Sequence, residues 1–205
     1  MSCLNCESCA LENKSDPDLY EIHVTVETED FEKFEEDCKK IGVKAIKLEN
    51  FSKSGSLFDV MTSSTFKTGL LMEAHIYMLE IAYYLESKGY NVLRHKLETT
   101  LKNIYIPACK DGYGESHTTV ICDGNRDIID DISSRTEAFV STNTNKPNKV
   151  LITIREHSND LELLKSKTDE MIILLNKSAI FAEKTIYEYC IYDSNLAHDD
   201  AWITK

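Results

Sequence analysis

The chain has 205 residues, 42% of them apolar and 28% charged, and a formal net charge of −12. This composition is typical of globular proteins and excludes wholesale disorder, while the acidic surplus argues against bulk nucleic-acid binding, which needs a basic face. The most apolar stretch, 70–85, is too short and too polar to span a bilayer, and residues 1–16 show no signal pattern. We predict a cytoplasmic protein without membrane contact, in which a locally basic pocket can still bind a small anionic ligand.

The seven cysteines are unevenly spread, and three of them form the spacing C-x-x-C-x-x-C: Cys3, Cys6 and Cys9. Such spacing lets thiolates converge on a metal or a cluster, but no nearby fourth ligand completes the set. We predict a flexible tail over residues 1–17 with reduced thiols, and its role stays open.

The first half alternates strand and helix patterns. In 20–26 the apolar residues recur at every second position, as in a half-buried strand. Helical spacing follows over 28–41, and Gly42 stands just past its end. The remaining patterns predict, in order, strands over 43–50 and 57–63, a long helix over 69–88 and a strand over 91–98.

The second half retraces this order. Its patterns predict, in chain order, a strand over 115–121, a helix over 124–135, strands over 137–142 and 149–156, a long helix over 160–176 and a strand over 183–193. Glu115 follows Glu21 by 94 residues. Glu188 follows Glu98 by 90, so the offset between the halves is nearly constant.

These patterns predict an α+β fold made by tandem duplication of a ferredoxin-like β-α-β-β-α-β unit, with two antiparallel sheets and helices on one face of each. The predicted domains are the tail 1–17, a first repeat over 18–108, and a second repeat with the C-terminal segment over 109–205. A ligand cleft is expected where the uncovered sheet faces of two such repeats meet.

A repeated motif marks the first strand of each half. EIHVTV (21–26) and ESHTTV (115–120) both fit E-x-H-x-T-V. Two imidazoles can serve as base and acid in cleaving a phosphodiester, and a threonine two positions on lies on the same strand face. Duplication of an ordinary amphipathic strand would leave the same repeat, so a non-catalytic protein-interaction module, with a protein partner or a second copy, remains an alternative.

The motifs His23-Val24-Thr25 and His117-Thr118-Thr119 resemble those of the two-histidine phosphoesterase superfamily. The resemblance implies a metal-independent, cofactor-free phosphodiesterase acting on a small nucleotide or an RNA end, with His23 and His117 as base and acid. It implies that Thr25 and Thr119 donate to the phosphate. From strand alternation, the expected ligand-contacting residues on the same faces are Arg94, Lys96, Arg155, Glu21 and Glu115.

A second resemblance is to the vicinal oxygen chelate fold, carried by the opening strand and helix EIHVTVETEDFEKFEEDCKKIGVKAI. In that family a first-strand histidine and a last-strand glutamate from each half bind one divalent metal. The resemblance selects a metal-ligand set: His23, Glu98, His117 and Glu188. Such nitrogen and oxygen ligands suit Zn²⁺, Fe²⁺ or Mn²⁺.

Overall fold

The computed structural model describes residues 18–52, 55–100, 112–158 and 160–201. The elements follow the predicted order: β1 (Asp18–Glu27), α1 (Phe31–Lys40), β2 (Lys44–Ser52), β3 (Gly55–Thr68), α2 (Leu71–Ser87), β4 (Asn91–Thr100), β5 (Tyr113–Ile121), α3 (Arg126–Arg135), β6 (Phe139–Asn143), β7 (Lys149–Glu156), α4 (Leu161–Lys177), β8 (Ala182–Asp193) and a 3-10 helix (Leu196–Ala201). The predicted tail 1–17, with Cys3, Cys6 and Cys9, lies outside the described residues.

Local signals explain where α1 begins and where α1 and α2 end. The Asp30 side chain accepts the N–H of Lys33 at 3.0 Å and so caps the first turn of α1. Gly42 and Gly89 follow α1 and α2 with φ of +73° and +90°, a conformation that glycine adopts without a Cβ clash. The glycines predicted to close these helices therefore do so.

The predicted fold class, two separate antiparallel sheets in a tandem ferredoxin-like duplication, is wrong. The eight described strands form one closed barrel in the order β1-β3-β2-β6-β7-β5-β8-β4. For example, β2 pairs with β6, where Leu48 lies opposite Asn143. Two separate sheets would leave edge strands with unpaired backbone N–H and C=O groups, and closure pairs them. The local sequence pattern does not encode which edges pair.

The chain divides into two compact units. Of the described residues, unit 1 comprises 18–47, 59–100, 112 and 189–198, and unit 2 comprises 48–52, 55–58, 113–158, 160–188 and 199–201. Residues 48–52 and 55–58, from the first half of the chain, thus belong to unit 2. Residues 189–198, from the second half, belong to unit 1.

The core of unit 1 lies between β1 and its two helices. Ile22, Val24 and Val26 on alternate positions of β1 are buried together with Phe34 of α1 and with Met78 and Leu85 of α2. Burying each such side chain contributes about 1.5–3 kcal/mol. The apolar face of β1 is the one predicted from its alternation.

The core of unit 2 likewise lies between strands and two helices. Val120 of β5 and Ile152 of β7 are buried with Ile129 of α3 and Leu164 of α4. Gly114 of β5 allows α4 to approach closely, because a Cβ there would lie 2.9 Å from Leu164 Cδ2. Among the described residues, no helix combines the length and the apolar character needed to cross a membrane.

One buried polar contact links α1 to the start of β4. The Tyr90 hydroxyl donates to Asp37 Oδ2 at 2.9 Å, and Lys40 Nζ lies 2.7 Å from Asp37 Oδ1. Hydrogen bonds from these two partners lower the pKa of Asp37, and the bond from Lys40 has the larger effect. The ring of Tyr90 also meets the edge of Phe34 at 5.4 Å between centroids.

We expect Tyr90→Phe to lower the free energy of unfolding by about 1–2 kcal/mol, since it removes a hydrogen bond to a carboxylate but keeps the ring. Urea denaturation at neutral pH measures the difference. Tyr83→Phe is the matched control, because Tyr83 is 75% exposed. Equal unfolding midpoints for both variants would show that the Tyr90–Asp37 bond contributes nothing.

Candidate functional site

Strand pairing collects polar side chains of unit 1 on the sheet face that the helices do not cover. In the antiparallel β1–β4 pair, Glu21 lies opposite Glu98, His23 opposite Lys96, and Thr25 opposite Arg94. Residues directly opposite each other project from the same face and come into contact. The face predicted to be open is buried: Thr25, Arg94, Lys96 and Glu98 are each at most 9% exposed.

His23 is held at both ring nitrogens. Its Nδ1 lies 3.1 Å from the carbonyl oxygen of Thr62 on β3. Its Nε2 lies 3.4 Å from Glu21 Oε1 and 3.3 Å from Glu98 Oε2. We call His23, Glu21 and Glu98 the first His–Glu–Glu cluster.

The Thr62 carbonyl decides the protonation of this ring. A carbonyl oxygen only accepts hydrogen bonds, so Nδ1 of His23 carries the hydrogen that it donates. In the neutral ring, Nε2 would then present its lone pair to two carboxylates, which is repulsive. Nε2 therefore holds a positive group between itself and Glu21 and Glu98, either a proton or a metal cation.

Unit 2 contains a second cluster of the same composition. His117 Nε2 lies 3.5 Å from Glu115 Oε2 and 3.3 Å from Glu188 Oε2. His117 Nδ1 lies 2.9 Å from the hydroxyl of Thr153, the residue directly opposite on β7. We call His117, Glu115 and Glu188 the second His–Glu–Glu cluster.

In both clusters a basic residue binds one oxygen of a glutamate and leaves the other to the histidine. Lys96 Nζ lies 2.7 Å from Glu98 Oε1, while Glu98 Oε2 contacts His23. Arg155 Nη2 lies 2.7 Å from Glu115 Oε1, while Glu115 Oε2 contacts His117. Each carboxylate is thereby fixed in orientation.

The carboxylates dominate the electrostatics of both histidines. Burial by itself would lower the pKa of His23, but hydrogen bonding to Glu21 and Glu98 offsets it and raises the pKa from 6.5 to about 9. The same balance with Glu115 and Glu188 raises the pKa of His117 to about 10. Without a metal, both rings are therefore imidazolium ions at neutral pH.

The predicted phosphate-binding cations are engaged in ion pairs. Arg94 Nε donates to Asp193 Oδ1 at 2.8 Å, and Arg155 pairs with Asp199 as well as Glu115. Thr25 is buried beside Arg94 in the strand register, and Thr119 is half-buried on β5. Their roles toward a phosphate stay predictions.

Sequence reasoning missed three residues that shape this face. Asp193 and Asp199 lie 99 and 44 positions from their arginine partners, and no local spacing marks them. Thr62 acts partly through its backbone carbonyl, which every residue possesses, so its side-chain identity is no signal for that contact. By contrast, the E-x-H repeat did mark Glu21 and Glu115.

Comparison with known proteins leaves the family open. No family model matches the chain, and no curated protein does either. A putative monooxygenase from Fusobacterium nucleatum is 12% identical, with a TM-score of 0.36, over 87% of this chain and 94% of that one. A putative monooxygenase from Lactobacillus acidophilus is 11% identical, with a TM-score of 0.33, over 86% and 93%. The small subunit of acetolactate synthase from Thermotoga maritima is 13% identical, with a TM-score of 0.28, over 82% and 92%.

Similarities of this size carry no argument about activity. They also give no support to the predicted phosphoesterase and hydrolase assignment, and the closed barrel overturns the ferredoxin-like duplication that accompanied it.

In metal-free protein we expect His23 and His117 to titrate near pH 9 and pH 10, above the ordinary value of 6.5. Their contribution to stability is present below pH 6.5 and is lost as the pH rises through those values. Burial lowers the pKa of His75, His95 and His157, which serve as internal controls. NMR of the imidazole carbons measures all five, and a His23 or His117 pKa below 6.5 would contradict the described geometry.

The buried Arg155 ion pairs should contribute strongly to stability. We expect Arg155→Met to lower the free energy of unfolding by about 3–5 kcal/mol, because it removes the buried cation that pairs with both Glu115 and Asp199. Arg135→Met is the control, since Arg135 is 59% exposed and pairs with an exposed Asp131. Chemical denaturation compares the two, and similar losses would rule out a special role for burial.

Proposed function

We propose that the protein binds divalent cations, one at each His–Glu–Glu cluster, with the histidine Nε2 and the two glutamate oxygens as ligands. Nitrogen and carboxylate oxygen ligands of this kind suit Zn²⁺, Mn²⁺ or Fe²⁺. The proposal keeps the nitrogen and oxygen ligand chemistry implied by the chelate resemblance and applies it to each cluster separately.

The spacing of the ligand atoms carries the proposal. Four Nε2-to-oxygen distances lie between 3.3 and 3.5 Å. A charge-assisted N–H···O bond is shorter, about 2.7–2.9 Å, and the lysine and arginine contacts in the same clusters are 2.7 Å. Ligands about 2.0–2.1 Å from a tetrahedral zinc ion lie about 3.3–3.4 Å from one another. The Nε2-to-oxygen distances of the clusters thus match the distance between two ligands of one metal ion.

The contacts behind the ligands support the same conclusion. A metal-binding histidine normally donates its other ring N–H to a carbonyl or carboxylate, which fixes the tautomer. The Thr62 carbonyl does this for His23 Nδ1. At His117 the partner is the Thr153 hydroxyl, which can accept in the same way.

The local charge suits a dication. Each cluster offers two carboxylates to a cation, and carboxylate oxygens are favourable ligands for divalent ions.

The residues would divide the work of binding. His23 and His117 would supply the nitrogen ligands, and the four glutamates would supply the oxygens. Lys96 and Arg155 would hold one glutamate in each cluster in its binding orientation. A divalent cation at such a site supplies Lewis acidity and lowers the pKa of bound water.

The phosphodiesterase stays an untested prediction. A general base needs a free lone pair near neutral pH. With the pKa of His23 raised to about 9 and that of His117 to about 10, both rings are protonated there. The predicted role of base thus receives no support from the protonation of the two histidines, whereas a general acid does need a protonated ring.

Metal titration of the full chain tests the proposal. Cys3, Cys6 and Cys9 are first changed to serine, because their thiolates are strong competing ligands for zinc. After treatment with EDTA, we expect calorimetry with Zn²⁺ to show two bound ions. His23→Gln and His117→Gln should each remove one of them.

Two further measurements sharpen this test. His157→Gln is the matched control, since His157 belongs to neither cluster, and it should leave both ions bound. Co²⁺ as a probe should give visible absorption that changes in the His23 and His117 variants. Two results would refute the proposal. One is that no metal binds at about 1 mM, a concentration at which even a weak site would be occupied. The other is that neither glutamine variant changes binding.

A further inference from the structure

A stripe of exposed apolar side chains runs along α2. Four residues form it: Met72, Ile76, Leu79 and Tyr83, exposed by 53%, 50%, 44% and 75%. Their spacing of four, three and four residues places them on one helix face, in the pattern of a helix–helix seam. The opposite side of α2 is buried in the core of unit 1. We call these four residues the α2 stripe.

The equivalent helix of unit 2 lacks such a stripe. Both helices have 17 residues, and four of the six buried positions of α2 match the buried positions of α4 at an offset of 90: Ala74, Met78, Ile81 and Leu85 match Leu164, Thr168, Met171 and Leu175. The same offset places Glu162, Ser166, Asp169 and Ile173 at the positions of the α2 stripe. Three of those four are polar, so a helix in this position does not need apolar residues there to fold.

Folding of the described part of the chain therefore does not account for the apolar character of the α2 stripe. Contiguous exposed apolar surface bordered by polar residues is typical of protein interaction sites. We propose that the α2 stripe binds an amphipathic helix of a partner protein, with apolar anchors at helical spacing and lysine or arginine along its flank. This inference is independent of the metal proposal.

The charges on α2 identify the kind of partner. Glu73, Glu80 and Glu86 are exposed on the same helix, and no lysine or arginine occurs between Leu71 and Ser87. Two copies of α2 packed together would bring glutamates near glutamates, and an anionic lipid surface would be repelled in the same way. A basic flank on the partner helix would instead complement the glutamates.

The binding mode would be that of a helix laid along a hydrophobic strip. Anchors at positions i, i+4 and i+7 of the partner would contact Ile76 and Leu79, while its basic residues would face Glu73 and Glu80. Side-chain packing would supply affinity and the charges would supply specificity.

Designed peptides test this inference directly. Two helical peptides of about 20 residues carry the same leucine stripe, one flanked by lysine and the other by glutamate. Fluorescence anisotropy with the full chain measures affinity, and NMR chemical shifts locate the contact. We expect the lysine peptide to bind at α2 and the glutamate peptide to bind at least about tenfold more weakly.

A variant of α2 that carries the residues found at the equivalent positions of α4 tests the role of the α2 stripe. Ile76→Ser with Leu79→Asp recreates the residues found at Ser166 and Asp169, and it should weaken the lysine peptide at least about tenfold while leaving the circular dichroism spectrum unchanged. Ile173→Ser on α4 is the control, because Ile173 is 52% exposed and should not affect binding.

Several outcomes would overturn the proposal. One is that the lysine peptide does not bind, or that its affinity is unchanged in the Ile76→Ser, Leu79→Asp variant. Another is concentration-dependent dimerisation in analytical ultracentrifugation that this variant abolishes, which would assign the stripe to a second copy. Flotation with vesicles containing phosphatidylserine that the variant abolishes would assign it to a membrane surface.

Discussion

The burial of charged side chains on one face of the sheet is the constraint on which the site depends. Strand alternation sends Ile22 and Val24 toward the helices and sends Glu21 and His23 to the other face. Because that second face is also buried, an unpaired charge there would be very costly. This cost explains why Arg94, Lys96 and Arg155 each form an ion pair. It also explains why both histidines contact carboxylates.

The two histidines stand out because their contacts are longer than those of the neighbouring cations. Lys96 and Arg155 reach their carboxylates at 2.7 Å, whereas His23 and His117 stay at 3.3 to 3.5 Å from two carboxylates each. One N–H shared between two carboxylates satisfies neither fully. In the proposed site, a divalent cation would take the place of the shared proton.

The two units share their polar strand faces but differ in the exposed sides of their long helices. Their polar strand faces are alike, each with a histidine between two glutamates, a basic residue on one glutamate and a threonine behind the ring. Their long helices differ on the exposed side, where Ile76 and Leu79 of α2 correspond to Ser166 and Asp169 of α4. The polar strand faces are thus alike in both units, whereas only α2 carries the exposed apolar stripe.

By itself, the sequence determined the order of helices and strands, the apolar face of β1, and the repeated histidine with a glutamate two positions earlier. These features depend on periods of two and 3.6 residues, which act over a few neighbours and can be read locally. Only the tertiary structure decided the closure of the barrel, because the pairing of β2 with β6 joins strands far apart in the chain. The Thr62 carbonyl behind His23 and the pairing of Arg94 with Asp193 likewise depend on strand register and long-range contact. Register is set by how whole strands meet, and no local spacing of residue types encodes it.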